Sequence, residues 1–219
     1  MECTLHRQLK GRYGPDIGGR VEVAVSGYRI DAVTPDGLLI EVQTGALGPL
    51  RPKLERLLPT SRVRVIKPVV VRRRLIWRDR SGATGPPGRR SPWRGTLLDA
   101  FDDLIGLVRI FPHANLEVDL LAVDIDEIRV ARRKRPGFAV VDRSLREVRA
   151  TARLREARDL WDLLPDGVAA SPFTTRDLSD RLDRPIAFAQ RVAYCLLHAG
   201  AARVSHKIGS HRVYEAAAG

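Results

Sequence analysis

The sequence predicts an α+β protein built from two parts. Near the N-terminus, apolar and polar residues alternate in three consecutive segments, which is typical of half-buried strands. Segments with apolar residues three or four positions apart lie on either side and predict helices, so the first part has the order αβββαβ. Near the C-terminus, two short helical segments precede two strand segments that are joined by a basic turn.

The first part begins with a helix over residues 2–13, in which Leu5 and Leu9 form one buried stripe. Ser26-Gly27 and the Pro-Asp-Gly sequence at 35–37 are tight-turn signals that separate the strands. The strands are predicted over residues 20–25, 28–34 and 38–44. A second helix over 49–58, a strand over 62–71 and a ribbon over 74–77 complete the order.

The middle of the chain is rich in basic residues. Residues 78–95 combine Gly, Pro, Ser and Arg, which favours a mobile basic loop whose Arg89 and Arg90 can touch phosphate. A helix over 96–110 and a strand over 116–123 extend the first part. The helix is predicted to turn five apolar residues inward: Leu97, Phe101, Leu104, Ile105 and Val108.

A domain boundary is predicted at residue 150. The first domain comprises a core at 1–78, the basic loop at 78–95 and an extension at 96–150. The second domain, 151–219, starts with an amphipathic helix over 153–164 and a linker over 165–172.

The C-terminal segment reads as helix, turn, helix and β-hairpin. Thr174, with Asp177 three residues later, caps a helix that ends at Leu182, and Arg184-Pro185 makes the turn. A second helix over 186–198 is closed by Gly200. Two strands follow, at 202–205 and 212–215, around a basic tip at 206–211.

This C-terminal pattern resembles the winged-helix family over about fifty residues. The resemblance implies that the second helix enters the major groove of DNA, with Arg184, Gln190 and Arg191 as candidates for contact with bases or phosphates. Lys207 and Arg212 on the wing would meet backbone phosphate. The alternatives are an ordinary solvated turn at the wing, and a winged helix that contacts protein.

Composition favours a nucleic-acid partner. The chain has 38 Lys and Arg against 26 Asp and Glu, a net charge of +12, and such a surface attracts polyanions. Ribosomal proteins, membrane-surface proteins and genomic arginine bias give the same charge, so charge alone does not name the partner. Cys3 and Cys195 have no metal-ligand spacing, and His6, His113 and His198 have none either.

Other classes find no support in the sequence. No apolar run approaches the roughly 18 residues that span a bilayer, and no signal peptide is recognisable, so we expect a cytoplasmic protein without membrane contact. The sequence contains no P-loop, no GxGxxG and no nucleophile elbow, which argues against ATP hydrolysis, dinucleotide redox chemistry and serine hydrolase activity.

The strongest chemical signal is a predicted row of carboxylates. A two-residue turn at Ser26-Gly27 puts Glu22 opposite Asp31, and a three-residue loop at 35–37 puts Asp31 opposite Glu41. Alternation places Gln43 on the same face of the sheet. Like charges about 5 Å apart destabilise a sheet, so something must compensate for them. Mg²⁺ or Mn²⁺ would do so, and the alternative is a solvated polar face neutralised by Arg29 and other cations.

These residues resemble the PD-(D/E)XK, or restriction-endonuclease-like, nuclease superfamily over residues 1–78. Asp31, Glu41 and Gln43 fall on its motif, within the αβββαβ order and mixed sheet of that superfamily. The resemblance implies that Asp31 and Glu41 bind Mg²⁺ or Mn²⁺, that Glu2 or Glu22 assists, and that the ion activates water for phosphodiester hydrolysis.

Two departures from the family pattern bear on activity. Gln43 stands where Lys is usual, and the Pro that names the motif is absent before Asp31. Some active relatives use Glu-X-Gln, and others carry a Lys on the following helix, where Lys53 is available as a catalytic group or as a solvated helix residue.

The resemblance therefore leaves two expectations. One is a DNA endonuclease of repair, recombination or defence, which acts on duplex or branched DNA and allows a homodimer because many relatives cut two strands with two subunits. The other is a catalytically inactive DNA-binding or regulatory protein that retains the nuclease fold.

Overall fold

A β-sheet that mixes parallel and antiparallel strands is the main feature of the fold, and the α+β class predicted from the sequence is confirmed. The structure is a computed structural model that describes residues 2–79, 88–135 and 137–217. Within these residues the large sheet has seven strands. No helix among them is both long enough and apolar enough to cross a membrane.

The chain separates into two units. The first consists of Met1–Thr44, Arg64–Leu97 and Asp119–Ala152. The second consists of Gly45–Val63, Leu98–Val118 and Arg153–Gly219. The predicted boundary at 150 lies beside the end of the first unit's last segment, while two internal segments of the predicted first domain cluster with the C-terminal residues.

The large sheet is flanked by the first helix, α1, at Thr4–Tyr13. Its strands run in the spatial order β1-β2-β3-β4-β6-β7, and β5 pairs with β4. They are β1 Arg20–Val25, β2 Tyr28–Val33, β3 Leu39–Val42, β4 Val63–Arg78, β5 Arg89–Arg90, β6 Leu116–Ala131 and β7 Phe138–Leu154.

Helix α1 is held by its apolar stripe. Leu5 and Leu9 are buried against Ala32, Ile40 and Val42 of β2 and β3, in a cluster that continues onto β4 and β6. Because each fully buried Leu contributes about 2–5 kcal/mol over Ala, this stripe fixes the helix on the sheet. The polar residues of α1 that flank the stripe are thereby held beside β1 and β2.

The second unit contains the remaining helices and a hairpin. Its α-helices are α2 Arg51–Leu57, α3 Phe101–Leu104, α4 Thr175–Leu182 and α5 Ile186–His198. Short 3-10 turns lie at Gly48–Leu50, Leu97–Ala100, Ala157–Leu163 and Val168–Ala170. The hairpin consists of β8 Ala202–Ile208 and β9 His211–Ala216.

The C-terminal helix, turn, helix and hairpin predicted from the sequence are present. The backbone N–H of Asp177 donates to Thr174 Oγ1 at 3.2 Å, and the Thr174 N–H donates to Asp177 Oδ2 at 2.8 Å, so the predicted capping box forms. Phe173 adds a bridge to Tyr214 of β9. This extra pairing ties the residue before α4 to the hairpin.

Two helix predictions are wrong. Residues 96–110 form a 3-10 turn, the four-residue α3 and further turns, and Ile105, predicted to face inward, is 39% exposed while Leu107 is buried. Residues 153–164 begin as the end of β7 and continue as a 3-10 helix rather than an α-helix. Gly106 meets the Gly48 backbone so closely that a Cβ would clash, a tertiary contact that overrides the helical pattern.

The strand predictions need two corrections. The predicted strand over 62–71 and ribbon over 74–77 form one continuous strand, β4. The basic loop predicted over 78–95 contains β5, because Arg89 and Arg90 pair with β4 and Ser91 is buried. The part of that loop at 80–87 lies outside the described residues.

Candidate functional site

The predicted register of the first three strands is observed. Val21 pairs with Ala32 and Val23 with Ile30, which sets Glu22 opposite Asp31. Ala32 pairs with Ile40, which sets Asp31 opposite Glu41. The turn residues fix this register, because Ser26-Gly27 closes a two-residue hairpin and the Thr34 N–H donates to the Leu38 carbonyl oxygen across the next loop.

The geometry departs from regular strands at the acidic residues themselves. Glu22 has a φ of 57°, in the left-handed region that non-glycine residues seldom occupy. Pairing between β2 and β3 ends at Ala32 and Ile40, and there Asp31 Oδ2 accepts a hydrogen bond of 2.8 Å from the backbone N–H of Val42. The acidic residues therefore lie at irregular points of the sheet rather than on an evenly alternating face.

Helix α1 adds two basic side chains to these carboxylates. Glu2, His6 and Lys10 are four residues apart and lie on one side of the N-terminal segment. His6 Nδ1 lies 2.5 Å from Glu2 Oε1, and His6 Nε2 lies 3.3 Å from Asp31 Oδ2. Lys10 Nζ lies 2.9 Å from Glu2 Oε1 and also bonds to Glu22.

These five side chains border an open pocket of about 300 Å³, here called the acidic pocket, together with Cys3 and Thr44. Glu22 also pairs with Arg29. The solvated-face alternative, in which Arg29 and other cations neutralise the row, is therefore observed for Glu22. Cationic side chains of the chain itself therefore form ion pairs with the carboxylates of the acidic pocket.

The pKa values follow from these contacts. The hydrogen bond to Asp31 and the contact with Glu2 outweigh burial and raise the pKa of His6 to about 8. Burial alone would lower the pKa of Lys10, but hydrogen bonds to Glu22 and Glu2 raise it. The hydrogen bond from Lys10 lowers the pKa of both Glu2 and Glu22. These shifts favour ionised Glu2 and Glu22 and protonated His6 and Lys10 at neutral pH.

The other predicted catalytic residues do not line the acidic pocket. Glu41, on β3, is only 6% exposed. Gln43 follows β3, is half-buried, and its backbone N–H donates to the Ile66 carbonyl oxygen at 2.9 Å. Lys53 lies on α2 and belongs to the second unit.

The chemistry of the acidic residues fits a hard divalent cation, because carboxylate oxygens are the ligands that Mg²⁺ and Mn²⁺ prefer. Within residues 2–79, 88–135 and 137–217, no group of three or more His, Cys, Asp or Glu is already arranged to hold a metal ion. Lys10 and His6 supply the positive charge at these carboxylates instead. A metal ion would have to share Asp31 with His6.

A second site in the first unit is an open groove of about 410 Å³, here called the arginine groove. Its basic residues come from β4, from β5 and the segment after it, and from β7. They are Arg72 to Arg74, Arg90, Arg94, Arg146 and Arg149. Two acids, Asp124 and Glu147, also line the groove, so positive charge predominates.

Acids of β6 hold several of these arginines in place. Arg149 donates to both oxygens of Asp124, at 2.7 and 2.5 Å, and this pairing lowers the pKa of Asp124. Arg74 donates to both oxygens of Asp126, at 2.9 and 2.7 Å. Even when Asp126 is counted, the seven arginines outnumber the acids. Arg74 and Arg149 thus have carboxylate partners of their own, and the further arginines of the groove give it the excess of positive charge that attracts phosphate.

Arg89 and Arg90, predicted to touch phosphate, lie exposed on β5. Arg90 pairs with Arg74 in the register and lines the arginine groove, whereas Arg89 pairs with Leu75. The structure thus brings Arg90 together with six further arginines that the sequence did not single out.

Two of the arginines predicted to contact DNA form ion pairs within the second unit. Arg184 Nη2 lies 2.7 Å from Asp99 Oδ1, and Arg191 Nε lies 2.7 Å from Asp102 Oδ1. Both guanidinium groups also pack over Phe188, at 5.4 and 5.7 Å from the ring centroid. Gln190 is exposed.

The predicted wing residues are exposed and adjacent. Lys207 and Arg212 pair across β8 and β9, next to the tip of the hairpin. Ile208, at the tip, is 61% exposed. The end of the hairpin is therefore basic and accessible, with an exposed apolar residue beside the two cations.

Sequence reasoning missed His6 and Lys10, although their spacing from Glu2 was a usable signal. Residues 2, 6 and 10 follow the four-residue repeat of a helix. His6 and Lys10 are therefore expected on one face of α1, on the same side as Glu2. The arginines of β7 were missed because β7 itself was not predicted. Its residues are mostly exposed or half-buried, and the short apolar run at 138–141 is followed by a charged stretch that was not recognised as a strand.

Comparisons with known proteins identify a family that matches part of the chain. A family described as "Domain of unknown function (DUF8091)" matches residues 3–155. A protein of Treponema pallidum (strain Nichols), described as "Uncharacterized protein", is 33% identical over 175 residues, which cover 75% of this chain and 68% of that protein. No solved structure matches. The family match includes the arginine groove and all of the acidic pocket except Glu2.

Proposed function

The chain belongs to the DUF8091 family, and we propose that it is a metal-dependent nuclease that hydrolyses phosphodiester bonds of DNA. The observation that carries this proposal is the convergence of Glu2, Glu22 and Asp31 on one pocket, with Glu41 opposite Asp31 in the strand register. Carboxylates from the segment just before the first helix and from three adjacent strands agree with the αβββαβ nuclease pattern predicted from the sequence.

Asp31 and Glu41 are the proposed ligands of Mg²⁺ or Mn²⁺, with Glu2 or Glu22 in support. A bound ion would polarise the scissile phosphate and lower the pKa of the attacking water. The residues of the chain position the substrate and this water, and Gln43 is the proposed orienting group. Gln43 carries no charge, so another residue has to supply the positive charge that the usual Lys provides.

Lys10 is the proposed source of that positive charge. It contacts Glu2 and Glu22 within the acidic pocket, and its raised pKa keeps it protonated at neutral pH. A cation at this place can stabilise the negative charge that develops on a phosphate in the transition state. Lys53, the candidate predicted from the sequence, lies on α2 in the second unit, and its catalytic role stays a prediction.

The alternative is a catalytically inactive protein that binds DNA. It is favoured by the pairing of each acid of the pocket within the chain: Glu2 with His6 and Lys10, Glu22 with Lys10 and Arg29, and Asp31 with His6 and the Val42 N–H. Acids neutralised in this way stabilise the fold without a metal ion. The nuclease pattern would then serve as a scaffold.

In both cases the C-terminal segment is proposed to be a winged-helix module that holds DNA. The support is the order α4, α5, β8 and β9, the capping box at Thr174 and the bridge from Phe173 to Tyr214. Lys207 and Arg212 are the proposed phosphate contacts. Arg184 and Arg191 have to exchange their aspartate partners for DNA before they can bind it.

The test is a cleavage assay on the full chain. Linear, circular, single-stranded and branched DNA are incubated with the protein, with and without Mg²⁺ or Mn²⁺. We expect metal-dependent products that disappear in Glu41→Gln, which removes a negative charge but keeps the size of the side chain. Cleavage of none of the substrates by wild-type protein, in either metal, would support the scaffold alternative.

A further inference from the structure

The segment after β5 is docked along β4, beside the arginine groove. Arg90 pairs with Arg74, the Ser91 N–H donates to the Arg73 carbonyl oxygen at 2.9 Å, and the Gly95 N–H donates to the Val71 carbonyl oxygen at 3.1 Å. These bonds lie on both sides of Trp93. The backbone position of Trp93 relative to the groove is therefore fixed.

Trp93 combines exposure with direct contact to groove residues. Its side chain is 40% exposed, although tryptophan is usually buried. The Arg73 guanidinium lies over the indole ring, 4.3 Å from its centroid. Arg94 donates to the Trp93 carbonyl oxygen at 2.9 Å. An accessible aromatic ring thus lies next to the arginine groove.

Two arginines of the groove are open to a ligand. Arg72 and Arg90 are exposed on neighbouring strands and both line the groove. Accessible guanidinium groups bind phosphate oxygens through charge-assisted hydrogen bonds.

From this arrangement we propose that the arginine groove and Trp93 together form a binding site for single-stranded nucleic acid. The sugar-phosphate backbone lies along the arginines, and an unpaired base stacks on the exposed part of the Trp93 ring. Duplex DNA offers the same phosphates but keeps its bases stacked inside, so it can use the arginines and not the ring. The site is separate from the acidic pocket, and binding there requires no metal ion.

The experiment measures binding of the full chain to a fluorescent single-stranded oligonucleotide and to the duplex of the same length, by anisotropy in EDTA. Hydrolysis at the acidic pocket plays no part under these conditions, so an inactive nuclease site does not affect the result. A polyglutamate peptide of similar charge is the third probe, because an acidic protein is the other partner that arginines attract.

Two sets of variants separate the ring from the charges. Trp93→Ala should weaken single-strand binding ~10-fold, as expected from the loss of one base stack, and leave duplex binding unchanged. Trp93→Phe should restore most of the affinity. Arg72→Ala with Arg90→Ala should weaken binding of both nucleic acids and reduce the salt dependence for single strands by roughly 1.4 in log-log slope.

Arg158→Ala is the matched control, since Arg158 is an exposed arginine of the second unit. We expect it to change neither affinity. The proposal is overturned if Trp93→Ala binds single strands as tightly as wild type, or if Trp93→Ala weakens duplex binding as much as single-strand binding. Equal affinity for polyglutamate would overturn it in favour of an acidic protein partner.

Discussion

Asp31 holds the end of β3 through the hydrogen bond that its Oδ2 accepts from the backbone N–H of Val42, at 2.8 Å. Regular pairing between the two strands has already ended at Ala32 and Ile40, so this carboxylate replaces a backbone acceptor. Asp31 consequently has a structural role whatever its chemistry is. Variants that test its function have to preserve that hydrogen bond.

Asp31→Asn is the variant that separates the two roles. It keeps an oxygen acceptor for Val42 but loses the negative charge, so we expect stability within about 1 kcal/mol of wild type and loss of metal-dependent cleavage. Asp31→Ala should lose cleavage and an additional 1–2 kcal/mol or so of stability. Urea denaturation and cleavage of labelled DNA are measured on the same preparations. Wild-type cleavage by Asp31→Asn would contradict the assignment of Asp31 as a metal ligand.

Lys10→Met tests whether a metal ion can take over the charge of Lys10. The substitution leaves Glu2 and Glu22 facing the pocket without this cation, so we expect a loss of about 1–2 kcal/mol in buffer with EDTA. Because a ligand stabilises the state that binds it, Mg²⁺ should then raise the Tm of Lys10→Met more than that of wild type. Lys10→Arg controls for charge, and Lys207→Met for general effects of Mg²⁺. Equal Tm shifts in all four proteins would argue against a cation site in the acidic pocket.

The strand register could be predicted from the sequence because turn residues determine it. Ser26-Gly27 and the loop at 35–37 leave one way to pair the three strands, and a slip by one residue would move the buried Ile30 and Ala32 to the opposite face of the sheet. The left-handed backbone of Glu22 was not predictable in this way, since nothing in the sequence marks a glutamate for a positive φ.

The arginine groove could not be predicted because it depends on long-range pairing. Arg72 to Arg74, Arg90 and Arg146 come from separate segments that meet only when β4, β5, β6 and β7 assemble. A charged strand such as β7 has little apolar patterning, and its place in the sheet follows from its neighbours. The C-terminal elements were easier, because the cap at Thr174 and the turn at Arg184-Pro185 are local signals.

A buried ion pair predicts how stability depends on pH. Glu127 is 1% exposed, with Arg129 Nη2 at 2.6 Å and Arg143 Nε at 3.2 Å. Burial alone would raise the pKa of Glu127, but the hydrogen bond and charge of Arg129, together with Arg143, lower it. A lowered pKa in the folded state means that this contribution to stability is present above the unfolded pKa and is lost as the pH falls through the folded pKa.

Arg129→Met should therefore destabilise the protein in a pH-dependent manner. With its main partner removed, Glu127 is a poorly compensated buried charge, and we expect a loss of about 2–3 kcal/mol near pH 7. The difference from wild type should shrink as the pH falls, first through the pKa of Glu127 in the variant, which burial raises, and then through the lowered pKa of Glu127 in wild type. Urea denaturation of both proteins at a series of pH values measures this difference in the free energy of unfolding. A difference that does not change with pH would indicate lost packing against Phe138, which the Arg129 guanidinium covers, rather than a lost charge pair.

Thr174→Ala tests the capping box of α4. The variant removes the side-chain acceptor of the Asp177 N–H, and loss of an N-cap typically costs about 1 kcal/mol. Arg176→Ala changes an exposed residue of the same turn and should have little effect. Hydrogen exchange of the α4 amides reports the local stability. Equal exchange in the two variants would show that the cap contributes nothing measurable.

The hairpin and α5 are expected to contribute differently to the affinity for duplex DNA. Lys207 and Arg212 are exposed and paired across the hairpin, whereas Arg191 is bound to Asp102. Lys207→Ala with Arg212→Ala should therefore weaken duplex binding and reduce the log-log salt slope by about 1.8, with little change in stability. Arg191→Ala should have a smaller effect, because the aspartate competes with phosphate for this guanidinium.

Asp102→Asn supplies the decisive comparison, since it releases Arg191 and should increase affinity for duplex DNA. If Asp102→Asn leaves affinity unchanged while Arg191→Ala weakens it more than the double hairpin variant, the helix contacts DNA despite its aspartate partner.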